Sequence, residues 1–211
     1  QIFDFKRITV TRAKEYLAYI AEEQGIEAED EALNLIGQKA DGAMRDALSL
    51  FDLIVTFSHG KKVTYAATIE NLHILDYDYY FRMTEALMAQ NTTETLLIFD
   101  EILKKGFDGH NFIIGLSSHF RDLMVSKDNV TIQLLEVSDV VKAKYQTQSN
   151  AVPMSFLLTA LNIANQCDIQ YKGSKNQRLH VELALLKMAH LTTALQLADV
   201  SVLDDSSKKK F

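Results

Sequence analysis

The stretch Asp41-Gly42-Ala43-Met44-Arg45-Asp46-Ala47-Leu48-Ser49-Leu50-Phe51-Asp52 decides how the fold of this chain is interpreted. Apolar residues recur there and just beyond at helical spacing, which predicts one buried helix face: Met44, Ala47, Leu48, Phe51, Ile54 and Val55. Asp41 is a plausible N-cap, because its carboxylate can accept hydrogen bonds from the free backbone N–H groups at a helix start. The pattern therefore predicts an amphipathic helix with Arg45 in its first turn.

Arg45 is the residue in this stretch that suggests chemistry. A cation in the first turn opposes the helix dipole, at a cost of roughly 0.3–1 kcal/mol. A guanidinium is favoured there if it reaches toward a phosphate, a group that helix N-termini also attract. The alternative is a solvated arginine on an ordinary helix, which is the commoner situation for this residue type. Asp52, seven residues further, lies near the same line beside the buried face.

The run that starts at Gly42 resembles the sensor 2 motif of the gamma/tau subunit of bacterial DNA polymerase III, a clamp-loader ATPase of the AAA+ class. In that family the motif lies on the lid domain, and its arginine reaches the terminal phosphates of bound ATP. The resemblance assigns this role to Arg45, with Gly42, Met44 and Asp46 in support. The family pattern usually ends Asp-Gln. Here Leu53 stands in place of the glutamine, which we interpret as a tolerated change on the buried side of the helix.

Two further segments resemble the same family, in the family's order and at similar spacings. Residues 1–8 are similar to the segment that leaves the ATPase core and enters the lid. Residues 178–187 resemble the last helix of the family's collar domain. Together with the motif they cover about 190 residues of an all-α chain. The resemblance implies a small four-helix AAA+ lid bundle followed by a helical clamp-loader collar.

The neighbours of Arg45 leave alternatives open. Gly42 either permits close packing at the helix start or lets the backbone approach a nucleotide. Asp46 either supports the helix start electrostatically or, less readily, orients Arg45, because adjacent helical residues do not face each other. Lys6 and Arg7 lie next to the place where an ATPase core would join. They either form salt bridges to that core or are solvated.

The chain contains few helix breakers, with eight Gly and one Pro, which favours helix throughout. We expect a lid at residues 1–75, a collar at 76–198 and a tail at 199–211. Thr9 or Thr11, Thr64, Asp76 and Asn91 are predicted to cap helices, and Pro153 is expected as a first helical residue. Further helices are expected to begin at Asp30, Gly42, Asp108, Ser138 and Asn176. A turn is expected at Gly60-Lys61-Lys62, and the last helix is expected to reach about Leu195.

The sequence lacks the motifs that bind the phosphates and the magnesium ion of a nucleotide. It contains no Gly-rich phosphate loop and no acidic strand end that would hold magnesium. The resemblance implies that the family's ATP-binding core precedes Gln1, and that ATP with Mg²⁺ binds in the full-length protein. We expect this chain alone to bind ATP weakly, to hydrolyse none and to contain no catalytic residue. The six histidines and the single Cys167 lack metal-ligand spacing, so no metal site is expected.

The resemblance also implies partners. These are the delta, delta prime and other gamma/tau subunits through the collar, and the sliding clamp and primed DNA through the whole assembly. A net charge of −6 argues against strong nucleic-acid binding by the chain alone. A single cysteine, no apolar span and no signal pattern favour the cytoplasm and no membrane. Another AAA+ ATPase, or an all-helical adaptor without a nucleotide role, is the alternative.

Overall fold

A computed structural model describes residues 6–58, 62–191 and 193 of the chain. Within that part, the regular structure consists of ten α-helices, one 3₁₀ turn and two strands of two residues each. The predicted all-α class is confirmed. The chain divides into two compact units, the first of Gln1–Ile74 with Val130–Lys144 and the second of Leu75–Asn129 with Tyr145–Phe211.

The first unit contains four complete helices, whose bounds are α1 Val10–Glu23, α2 Asp30–Lys39, α3 Met44–Phe57 and α4 Tyr65–Asn71. The Thr9 hydroxyl caps α1 by accepting from the Arg12 backbone N–H at 3.3 Å. The Thr64 hydroxyl caps α4 in the same way, from the Ala67 N–H at 3.2 Å. Both caps satisfy N–H groups that a helix start leaves without a partner.

Two short strands, β1 Glu27–Ala28 and β2 Lys62–Val63, form a parallel pair that the sequence did not predict. Beyond the strands, the Glu29 N–H donates to the Val63 carbonyl at 2.9 Å. The Glu29 carboxylate accepts from the Tyr65 backbone N–H at 2.8 Å. Because Glu29 precedes α2 and Tyr65 begins α4, this pairing joins the starts of two helices. The first two residues of the turn expected at 60–62 lie outside the described residues, and Lys62 belongs to β2.

The core of the first unit is built from the inner faces of α1, α2 and α3. Leu17, Ile36, Phe51 and Ile54 are completely buried there. Burial of each such side chain contributes about 1.5–3 kcal/mol before the entropy of ordering is subtracted. Met44, Leu48 and Val55 lie partly buried against this core, so the predicted inner face of α3 is confirmed.

Residues 130–144 belong to the first unit, although they fall inside the range expected for the collar. They comprise a 3₁₀ turn at Thr131–Leu134 and the beginning of α8. The Gln38 side-chain amide on α2 donates to the backbone carbonyl of Glu136. Leu135 is buried. Helix periodicity and capping are local patterns, so they could not predict contacts between residues so distant in sequence.

The second unit contains five complete helices and the end of a sixth, whose bounds are α5 Tyr77–Met88, α6 Thr92–Lys104, α7 Gly109–Val125, α8 Asp139–Ala151, α9 Met154–Tyr171 and α10 Gln177–Ala189. Helices α7 and α9 make the most extensive helix pair, in which the Phe120 and Phe156 rings meet edge to face. Pro153 takes the N-cap position of α9 rather than its first turn. The expected end of α10 near residue 195 and the tail lie outside the described residues.

A buried polar network crosses the second unit. His119 is 1% exposed and lies between the Tyr145 hydroxyl, 3.0 Å from Nδ1, and the Gln148 amide oxygen, 3.1 Å from Nε2. The Gln148 amide nitrogen donates to the Phe81 carbonyl at 2.9 Å, which fixes the orientation of the amide. The oxygen of Gln148 therefore faces His119, so Nε2 carries the hydrogen and Nδ1 accepts from Tyr145.

Candidate functional site

The start of α3 differs from the prediction in its cap. The helix begins at Met44, with Ala43 in the N-cap position and no side-chain cap. Asp41 has a φ of +46° and Gly42 a φ of +83°, so the chain makes a left-handed bend before the helix. The assignment of Asp41 as N-cap was wrong. Its carboxylate instead binds the Arg7 guanidinium at 2.5 Å, because the two extra residues of the bend separate it from the helix start.

Gly42 has a clear packing role. A methyl group added to it would lie 2.7 Å from Cβ of Arg7, closer than real side chains approach. Its carbonyl accepts the Ile8 N–H at 3.1 Å, so the two backbones run side by side. Its left-handed φ favours glycine as well. These contacts favour the close-packing interpretation, while an approach of the Gly42 backbone to a nucleotide stays a prediction.

Arg45 is the second residue of α3 and is exposed. In the part of the chain that the structure describes, its guanidinium has no ion-pair or hydrogen-bond partner. Its backbone carbonyl accepts the Ser49 hydroxyl at 2.9 Å, an ordinary contact within the helix. A free guanidinium therefore stands beside the positive end of a helix, where an anion would meet both.

The proposed supporting residues of Arg45 differ in their surroundings. Met44 begins α3 and is partly buried against the core of the first unit, so it fixes the helix start. Asp46 is exposed and lies in the first turn, where a carboxylate stabilises the helix dipole. Neither contacts the Arg45 side chain through a hydrogen bond within the described residues.

Leu53 is 41% exposed, so its interpretation as a residue of the buried side was wrong. At about 100° per residue, it lies roughly 160° around the helix from Phe51, which is completely buried. Phe57, one turn after Leu53, is 59% exposed. The two form a short apolar strip on the outside of α3, separate from the line that joins Arg45 and Asp52.

Arg7 is a residue of this site that sequence reasoning did not place. We expected Lys6 and Arg7 to be solvated or to contact an upstream core, whereas Arg7 binds Asp41. The spacing of 34 residues carries no local signal. Gly42, the first residue of the motif, was the one hint that another segment approaches closely.

Within the described residues, no three His, Cys, Asp or Glu side chains gather as a metal site would require. His119 is part of the buried network, and His110 binds Asp168 at 2.6 Å while stacking on Tyr171. Cys167 is buried, and burial raises the pKa of its thiol to about 11. A thiol of this kind is unreactive at neutral pH. In the same part of the chain, no helix is long and apolar enough to cross a membrane.

Two apolar surfaces of the second unit lie on different helices. The first, which we name the leucine face, consists of Leu97 on α6 with Leu179 and Leu183 on α10, each 48–58% exposed. An ion pair of 2.9 Å between Arg178 and Asp100 joins these two helices beside the leucines.

The second surface, which we name the amide groove, lies between α7 and α9. Ile114 and Leu158 are 43% and 53% exposed on its rims, and the remaining lining residues are Ser117, Ser118, Leu161, Asn162, Asn165 and Asp168. Within the described residues, the side-chain amides of Asn162 and Asn165 make no hydrogen bond. The groove therefore offers both apolar contact and free donors and acceptors.

Comparison with known proteins finds two family models that together match most of the chain. Residues 12–60 match the family model for the ATPase lid domain of the DNA polymerase III clamp loader subunit. Residues 63–200 match domain III of DNA polymerase III subunits gamma and tau.

Individual relatives agree with the family models. The chain is 28% identical over 210 residues to DNA polymerase III subunit tau of Bacillus subtilis, covering 99% of this chain and 37% of that protein. It is 21% identical over 190 residues to DNA polymerase III subunit gamma of Buchnera aphidicola, covering 88% of this chain and 51% of that protein. Among solved structures, the Bacillus subtilis DNA clamp loader delta protein aligns with a TM-score of 0.53 and 17% identity, over 88% of this chain and 57% of the other. The last match concerns the fold.

Proposed function

Because this chain belongs to the gamma/tau family of DNA polymerase III clamp-loader subunits, we propose that it forms the lid and collar of an ATP-driven clamp loader. In this proposal the parent subunit senses ATP and helps to hold the loader together, so that the sliding clamp is placed on primed DNA in the cytoplasm. The chain spans 37% and 51% of the two relatives described above. In this proposal the full-length protein supplies the ATP-binding core.

The observation that carries the ATP-sensing proposal is the free, exposed guanidinium of Arg45 at the start of α3. ATP, held with Mg²⁺ by an ATP-binding core, would supply terminal phosphates as its partner. A guanidinium can donate two parallel hydrogen bonds to a phosphate, and bonds to charged groups contribute about 1.5–3 kcal/mol each. Because Arg45 gains these bonds only with the phosphate in reach, ATP favours the lid position that brings them together.

Substitution of Arg45 in the full-length subunit tests this role. We expect Arg45→Ala to raise the ATP concentration needed for half-maximal clamp loading by roughly 10- to 150-fold, the equivalent of one charged hydrogen bond. Arg45→Lys should need an ATP concentration between those of the wild type and Arg45→Ala, because a lysine keeps the charge but cannot donate two parallel hydrogen bonds. Arg12→Ala is the matched control, since Arg12 is exposed in the first turn of α1 and, in the part of the chain that the structure describes, its guanidinium pairs only with Glu15. Unchanged loading in Arg45→Ala would exclude Arg45 as the sensor.

The chain alone is proposed to bind ATP weakly and to hydrolyse none, because one guanidinium cannot replace a phosphate-binding loop. This is checked by titrating the isolated chain with ATP while the NMR resonance of the Arg45 side chain is monitored. Saturable binding below the millimolar range would contradict it.

For the collar, we propose that the leucine face and the amide groove bind neighbouring clamp-loader subunits. The two surfaces lie on different helices and differ in chemistry, so a contact between them joins unlike patches of adjacent subunits. Such head-to-tail contacts produce rings when the rotation closes. The partners are the delta, delta prime and other gamma/tau subunits, and the assembly then acts on the clamp and primed DNA.

Charge substitutions separate the two surfaces. Leu183→Glu disables the leucine face and Leu158→Glu the amide groove, while Leu53→Glu introduces the same charge on α3 of the first unit as a control. We expect light scattering of mixtures with companion subunits to show smaller complexes for the first two variants and the original mass for the control. Assemblies that keep their mass in both collar variants would refute these surfaces.

A further inference from the structure

The segment that leads into the first unit is fastened directly to the start of α3. Three contacts join residues 7 and 8 to residues 41 and 42. Arg7 binds the Asp41 carboxylate, the Ile8 N–H donates to the Gly42 carbonyl at 3.1 Å, and Cβ of Arg7 occupies the space where a Gly42 side chain would lie. The contacts are consecutive on both segments, so they form one continuous attachment.

This attachment lies close to Arg45 along the chain. Gly42 precedes Arg45 by three residues, and only the N-cap residue Ala43 separates the bend from the first turn of α3. A displacement of the leading segment therefore moves the base of the Arg45 helix without passing first through α1 and α2.

We infer that Arg7 is a positioning residue that couples the leading segment to the placement of Arg45. The inference rests on the proposed ATP-sensing function, in which this segment connects the lid to the ATP-binding core. Arg7 holds its segment against the bend through Asp41, and Gly42 permits the approach.

The exposure of the ion pair indicates how its effect will be detected. The Arg7 and Asp41 side chains are 76% and 77% exposed. Ion pairs at this level of exposure add little to global stability. The effect of breaking the pair is therefore expected in local protection and in the ATP response, with little change in the melting temperature.

Charge reversal and exchange test the inference in the full-length subunit. We expect Arg7→Asp and Asp41→Arg each to raise the ATP concentration for half-maximal clamp loading by about fivefold, the scale of an exposed ion pair. The double variant with both exchanges should restore the original value. A response that is unchanged in both single variants would overturn the inference, as would a double variant no better than either.

Glycine variants supply an independent test. Gly42→Ala must displace Arg7, whereas Gly25→Ala meets open space at a similarly left-handed φ of +66°. Both substitutions place an alanine at a left-handed φ, and Gly42→Ala alone of the two also displaces Arg7. We expect faster amide hydrogen exchange at Ile8 in Gly42→Ala and in Arg7→Asp. In Gly25→Ala we expect the exchange rate at Ile8 to stay unchanged. Equal exchange at Ile8 in all three would refute the attachment.

The two proposals fail separately. If Arg45→Ala leaves the ATP response unchanged, the sensing role fails, and the Ile8 exchange still decides whether the attachment exists. If Arg45→Ala abolishes the response while Arg7→Asp leaves it intact, the sensing role stands and the positioning role of Arg7 is excluded.

Discussion

The ring of Tyr80 lies so close to Gly115 that a methyl group added to the glycine would be 2.0 Å from the tyrosine hydroxyl oxygen. The ring has little room to move away, because it stacks on Phe112 at 6.1 Å and on His119 at 5.9 Å between centroids. The contact between α5 and α7 in the second unit therefore depends on the absence of a side chain at position 115.

Gly115→Ala should destabilise the second unit by about 1–3 kcal/mol, the usual cost of forcing extra volume into a packed site. Urea denaturation measures this change. Gly173→Ala is the control, because its nearest neighbour would lie 3.6 Å from the added atom. Equal midpoints for the two variants would show that Tyr80 moves aside freely.

The buried His119 network predicts an acid-sensitive fold. Burial lowers the pKa of His119 to about 3, whereas an unfolded histidine titrates near a pKa of about 6.5. The neutral form is thus favoured by folding, and its contribution is complete above the unfolded pKa. It is lost as the pH falls from about 6.5 toward 3, by at most about 1.4 kcal/mol per pH unit.

The variant His119→Gln isolates this dependence. It does not titrate, so the free energy of unfolding of the wild type minus that of the variant should decrease as the pH falls from 6.5 to 4. Denaturation at a series of pH values measures the difference. A difference that stays constant over this range would show that His119 titrates alike in both states.

The exposed position of Leu53 predicts tolerance. Leu53→Gln should change the free energy of unfolding by no more than about 0.5 kcal/mol, as is usual for surface positions. Phe51→Ala, on the buried face of the same helix, should cost about 3–5 kcal/mol. Thermal denaturation distinguishes the two, and a large loss in Leu53→Gln would indicate that the residue packs inside.

Glu29 bonds β2 through its backbone N–H and the start of α4 through its carboxylate, so its substitution is expected to destabilise α4. Glu29→Ala removes the acceptor for the Tyr65 N–H and should cost about 0.5–2 kcal/mol, like the loss of other helix caps. Glu31→Ala is the control, because Glu31 lies in the first turn of α2 and has no hydrogen bond to α4 in the described residues. Circular dichroism during urea denaturation compares them, and equal midpoints would argue against the cap.

Much of the fold was predictable because its signals are local. The side chains of Thr9, Thr64, Asp76 and Asn91 cap helices as predicted, and Asp108 and Asn176 cap helices that were expected to begin there. Each capping side chain accepts a hydrogen bond from a backbone N–H two or three residues further along the chain. The family was also identifiable, because the motif around Arg45 is a short, dense pattern.

The errors arise where a distant segment decides the local structure. Asp41 has the chemistry of an N-cap, but the bend at Gly42 separates it from the helix start and its carboxylate binds Arg7. The strands β1 and β2 are too short to show a period of two. Leu53 was misplaced for a different reason, because the family pattern was followed and the helical spacing that puts Leu53 opposite the buried Phe51 was not applied.

The pairing of β1 with β2 also has a consequence for the order of folding. Glu27 and Lys62 are neighbours across the pair, so the chain must close a loop of about 35 residues, at an entropic cost of roughly 3 kcal/mol, before α4 receives its bond from Glu29. Helices α1 to α3 need shorter closures to meet. Helix α4 is thus expected to dock last on the folding pathway and to detach first in the native state, as the least protected helix of its unit.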